Sequence, residues 1–165
     1  MRRHAESGFS YMGLLIAVAL LGVGLASAGE LWRTAAKRER EQELLFAGRE
    51  FRNAIESYYS ASGVGPPRYP RSFDELLEDR RGAAQRRHLR RVYADPMTRK
   101  ADWELVEAPG GGFAGVRSVS QERPLKTAGF VGPEAKFEGA ERYAGWKFVF
   151  EPPGALSASR PAAPK

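Results

Sequence analysis

Few side chains in this chain could do chemistry. Cysteine is absent and histidine occurs only at His4 and His88. Disulfides, thiolate metal sites, cysteine nucleophiles and lipid attached to cysteine are therefore excluded. His4 lies in a basic amino-terminal stretch and His88 in a basic run, so neither a catalytic triad nor a histidine metal cluster is expected. The "GGG" at Gly110 to Gly112 lacks the lysine and hydroxyl residue of a phosphate-binding loop and fits a hairpin turn instead. The dense cationic stretch is "RRGAAQRRHLRR", Arg80 to Arg91. On a helix, Arg86, Arg87, Arg90 and Arg91 could meet the phosphates of a nucleic acid or an anionic lipid. The net charge of +6 permits such a partner. Charge runs are more often solvated faces, however, so nucleic acid is not the expected partner. With no convergent acid, base and nucleophile, an enzyme is not expected either.

The elements that must carry these residues begin with an apolar segment. Ser7 to Gly29 holds no charged residue, and as a helix rising ~1.5 Å per residue it is about 34 Å long, enough to cross a bilayer. Arg2 and Arg3 ahead of it favour a cytoplasmic amino terminus, while Arg33, Lys37, Arg38 and Arg40 behind it, interleaved with glutamates, argue the other way. A cleavable signal peptide competes with this reading, because "ASA" at Ala26 to Ala28 resembles a small-residue cleavage site. The helical pattern nevertheless continues to the "GVGPPRYP" breaker at Gly63 to Pro70. Leu44, Gly48, Phe51, Ile55 and Tyr58 recur at spacings of four and three, the apolar face of an amphipathic helix. The spacing predicts one helix of about 50 residues with an apolar and an amphipathic half.

The stretch "RRHAESGFSYMGLLIAVALLGVGLA" resembles the amino-terminal signature of type IV pilin-like proteins, including the pseudopilins of type II secretion systems. It has a short basic leader ending in Gly8, then Phe9, then an uninterrupted apolar helix. The resemblance implies that a prepilin peptidase cuts between Gly8 and Phe9 on the cytoplasmic side and methylates Phe9. It also implies an inner-membrane, single-pass protein with a periplasmic body, whose partners are the membrane, other pilin-like subunits and a secretion or pilus assembly platform. The small residues of the apolar half would let helix backbones approach closely. Gly13 departs from the pattern: the family usually has a glutamate there, associated with methylation and with pairing to the neighbouring amino terminus. Ordinary polymerisation is thus in doubt, and a minor or initiating subunit is the expectation. The tip pseudopilin also lacks that glutamate, but it is much larger. A plain signal anchor for a periplasmic domain, and a DNA-binding minor pilin of an uptake machine, are the alternatives.

Beyond the long helix, Ser72 and Glu75 form a capping-box pattern before a short helix from about Phe73 to Glu78, followed by a basic linker. "DWELVEAP" and "GFAGVRSVS" fit two strands joined by a glycine turn, and "GWKFVFEP" a third with Trp146, Phe148 and Phe150 on one face. The fold class is α+β: a long amino-terminal helix packed on a small antiparallel sheet of about three strands, pilin-like in resemblance. "YADPMTRKADWEL" looks like the Asp-Pro turn of the major pseudopilin. The organisation is leader 1–8, membrane and assembly half 9–30, amphipathic half 31–62, body 63–151 and a disordered tail 152–165. In that family a carboxyl-terminal loop binds calcium. The matching stretch, Lys136 to Trp146, offers only Glu138 and Glu141, a thin supply for an ion that takes six to eight oxygens, so no cofactor is expected.

Overall fold

A computed structural model describes residues 7–61 and 65–153, with the side chains of residues 7–10 and 23–28 outside the description. The expected leader up to Glu6 and the tail from residue 154 lie outside the described residues. The first element is a single helix, α1, Ser7–Ser60, close to the length expected from periodicity. The chain divides into two compact units, one ending at Glu39 and one starting at Arg40. In the first, the described residues are all helical, and the large apolar side chains from Tyr11 to Leu21, with Leu31 and Trp32, are exposed. Among the described residues no helix is long and apolar enough to cross a membrane. Part of the uncharged window Ser7 to Gly29 falls outside the described side chains.

In the second unit, the chain from Arg40 to Ser60 buries Leu44, Ala47, Gly48, Phe51, Ala54, Ile55 and Tyr58. This includes every residue of the face expected from its spacing. Their side chains share one core cluster with residues of a three-stranded antiparallel sheet, β1 Glu104–Glu107, β2 Phe113–Arg117 and β3 Lys147–Val149, in the order β1-β2-β3. The register runs in rows: Leu105, Val116 and Phe148 share one row, and Glu104, Arg117 and Lys147 the next. Val116 and Phe148 are buried, so the first row faces the core. Trp146, Phe148 and Phe150 are buried as their alternation predicts, and around them Phe130, Phe137 and Tyr143 complete an aromatic cluster. At Gly48 the helix lies directly against the sheet: a Cβ built there would lie 2.3 Å from the Phe148 ring. Gly110, Gly111 and Gly112 all take positive φ, which turns the β1–β2 hairpin.

One local expectation is corrected. The short helix α2, Phe73–Leu77, has Ser72 at its N-cap, but the serine side chain makes no capping bond. Glu75 does not reach back to Ser72 either; its Oε2 accepts from the Arg71 amide at 3.0 Å and from the Tyr58 hydroxyl at 2.6 Å. A long-range phenol thus takes the carboxylate that a capping box needs. The Arg80 to Arg91 run is an irregular linker, with Asp79 and Arg86 bridging backbone to backbone, so its arginines share no helical face. Short 3₁₀ turns at Gly132–Phe137 and Tyr143–Gly145 occupy stretches with no periodic signal.

Candidate functional site

Gly8 and Phe9 lie in the first turn of α1, and their side chains are outside the description. Gly13 is exposed on the same helix, and a Cβ added there would meet no atom within 4 Å. The described chain therefore leaves room for a side chain at this position. A glutamate would meet no steric obstacle there.

The basic run comes to lie against the last turns of α1. Asp79 organises it: Arg81 donates Nε to Oδ1 at 2.9 Å and Nη2 to Oδ2 at 2.8 Å, and its amide donates to Oδ1 at 3.0 Å. The same guanidinium donates to the Tyr58 carbonyl at 2.7 Å and stands 3.5 Å from the centre of the Tyr58 ring. Hydrogen bonding from Arg81 outweighs burial and holds the Asp79 carboxyl well below the usual carboxylate range. Burial, with the bond to Glu75, pushes the Tyr58 phenol up to about 12. The internal arginine of the run is thus spent on structure. Arg86, Arg87, Arg90 and Arg91 are exposed. Of these, Arg87 donates to the Leu77 carbonyl at 3.3 Å and Arg91 lies 5.2 Å from the Tyr93 ring centre. Arg86 and Arg87 line an open concavity of about 440 Å³ with Ser57, Ser60 and His88.

One grouping was not anticipated. His88 Nδ1 is 2.8 Å from Ser57 Oγ, and its Nε2 is 3.2 Å from Asp79 Oδ2, the order of a serine–histidine–aspartate relay. The expectation that no such arrangement was available is corrected in geometry. Its chemistry is another matter, because both Asp79 oxygens are already engaged by Arg81. Ser57 also stands in the last turn of α1, where unpaired carbonyls disfavour a developing oxyanion. The three side chains act as a latch that ties residues 79–88 to the helix. Nothing local in the sequence announces it, since Ser57 and His88 are 31 residues apart.

The two acids considered for calcium are not brought together into a donor set. Glu138 Oε1 accepts from the Gly129 amide at 3.0 Å, and Glu141 is exposed. Among the described residues no group of three or more histidine, cysteine or acidic side chains is arranged to hold a metal. Other buried carboxylates are likewise engaged internally. Glu134 receives Arg49 through two bonds of 2.8 Å each, Glu41 accepts the Leu125 and Lys126 amides at 3.0 Å, and Asp95 accepts from Ser118 Oγ at 2.6 Å. No family model, curated protein or solved structure matches this chain.

Proposed function

We propose that this chain is a structural subunit, minor or initiating, of a type II secretion pseudopilus or a related type IV pilus machine. A prepilin peptidase matures it between Gly8 and Phe9. It is anchored in the inner membrane with a cytoplasmic amino terminus and a periplasmic body, and its partners are other pilin-like subunits and the assembly platform. It has no catalysis or cofactor of its own. The observation that supports this most is the unbroken α1, Ser7–Ser60, which carries the Gly8-Phe9 junction at one end and a sheet-packing face at the other. A cleaved signal peptide needs no such continuity.

The test is the mass of the mature amino terminus in cells that carry a prepilin peptidase. A chain starting at Phe9 is the expected result; a start near Gly29 means a signal peptide, and an intact Met1 means a plain anchor. Gly8→Leu should leave the leader on, so that the product keeps its full mass; unchanged maturation would sink the reading.

A second reading, a DNA-binding minor pilin, is favoured by the exposure of Arg86, Arg87, Arg90 and Arg91 on one irregular segment. If it holds, the full chain in detergent retards duplex DNA at low salt, and reversing those four charges abolishes the shift. Replacing any one arginine that pairs with a phosphate should lower the salt slope by about one. No retardation at low salt removes this reading.

A further inference from the structure

The sheet has two open edges, and their chemistry is complementary. Among the described residues β1 and β3 each pair only with β2. The row on the face away from the core is Glu104, Arg117, Lys147. Glu104 and Arg117 form an ion pair, whereas Lys147 stands exposed beside Arg117 with no acidic partner among the described residues. Like charges side by side on a sheet repel, so β3 ends on an uncompensated cation and β1 ends on an acid. In the core-facing row, Val116 and Phe148 are buried, but Leu105 at the β1 edge is 41% exposed. Beside β3 runs an open groove of about 520 Å³ whose lining includes Pro133, Phe137, Val149 and Phe150.

The backbone agrees with the side chains. The Phe150 amide donates to the Ala114 carbonyl, so by alternation Lys147 and Val149 turn their amides and carbonyls away from β2. The same alternation across the sheet turns Leu105 outward on the β1 edge.

We infer that β1 of one copy of this chain adds in parallel to β3 of another, extending the sheet from copy to copy. Leu105 lies opposite Phe148, donating its amide to the Lys147 carbonyl and accepting from the Val149 amide. Glu104 then stands beside Lys147 and supplies the missing acid, and Leu105 is covered by the row it prolongs. The occupant is a second copy because one chain carries both halves of the match at opposite edges, which makes the contact head-to-tail and repeatable. The parallel sense rests on the proposed reading that all copies enter one membrane in the same direction. Antiparallel addition would turn neighbouring helices opposite ways.

The chain has no cysteine, which makes the test clean. Full-length protein carrying Glu104→Cys with Lys147→Cys is mildly oxidised in membranes and run on a non-reducing gel. Within one copy these positions flank β2 and are about 9.5 Å apart, beyond disulfide reach, whereas in the parallel register they are neighbours. The expected result is a ladder of disulfide-linked multimers, several-fold stronger than that from Glu107→Cys with Lys147→Cys, the rung of the antiparallel register. The next parallel rung, Val106→Cys with Val149→Cys, should give the same ladder and covers the case in which the first pair fails to fold. Absence of a ladder from both parallel pairs, or a stronger one from the antiparallel pair, overturns the inference. The mature amino terminus is read on the same sample. A chain starting at Phe9 without a ladder defeats the edge pairing alone, and one that keeps Met1 or starts near Gly29 defeats the pilus reading.

Discussion

Gly48→Leu is expected to lower the stability of the body by about 3 kcal/mol, the upper end of what overpacking usually costs. The cause is the Phe148 ring, 2.3 Å from the position a Cβ would occupy. That ring is fully enclosed between the helix and the aromatic cluster of Phe137 and Trp146, so it cannot swing aside. The measurement is thermal unfolding of the full chain in detergent, followed by near-ultraviolet circular dichroism, to which the buried Trp103 and Trp146 contribute. A fall of roughly 10 °C or more in Tm is expected. Gly48→Ala makes the sharper comparison. In an exposed helix that exchange stabilises by about 1 kcal/mol, through propensity alone. Here the overlap should reverse the sign, and a raised Tm for Gly48→Ala would refute the close approach.

Asp79→Ala is expected to cost a similar amount, about 3 kcal/mol, for an electrostatic reason. It leaves the Arg81 guanidinium, with only 17% of its side chain exposed, over the Tyr58 ring without the carboxylate that binds it through two bonds. It also removes the anchor for His88. The pH dependence separates charge from packing. Because Arg81 holds the folded-state carboxyl below its ordinary range, the folded chain binds that proton less readily than the unfolded chain does. The stabilisation is complete above the unfolded value of about 3.9 and is lost as pH falls below it toward the folded-state value. Asp79→Asn should therefore differ most from the parent chain near neutral pH, with the gap closing below about pH 4. Glu75 and Glu134 are also held low, Glu134 chiefly by Arg49, but they are common to both proteins and cancel in the comparison. A gap independent of pH would mean that the carboxylate acts through shape alone.

What was legible in the sequence was whatever repeats. Leu44, Gly48, Phe51, Ile55 and Tyr58 announced a helix face through their spacing, and Trp146, Phe148 and Phe150 announced a strand through alternation. Both patterns survive because burial on one side of an element imposes its period on the chain. The latch was illegible for the complementary reason: Ser57, Asp79 and His88 belong to segments with no shared period, and only the fold brings them within hydrogen-bonding range. The capping box misled because Glu75 has a stronger partner in Tyr58, 17 residues earlier, which no local rule can see. For the candidate functional residues the balance differs. Gly8, Phe9 and Gly13 stand out by motif, while the structure adds for Gly13 only that its position is sterically open.

The sheet edges bear on Gly13 directly. On the proposed pilus reading, which expects a helix-joining carboxylate where Gly13 stands, Glu104 and Lys147 put opposite charges where the outer surface could join instead.

The contacts between α1 and the rest of the body also set an order of events in time. Glu41 waits for the amides of Leu125 and Lys126, and Arg49 for Glu134, separations of 84 or 85 residues. Gly48 and Phe148 meet across an even longer stretch. In each of these pairs the α1 residue leaves the ribosome 84 or more residues ahead of its partner. Closure of loops this long is slow compared with forming a hairpin such as β1–β2. The stretch of α1 from Glu41 to Arg49 must therefore wait longer for its cover than Phe51, which packs on Phe73. Any factor that meets this protein before residue 148 has emerged meets a different surface from the one the finished body presents.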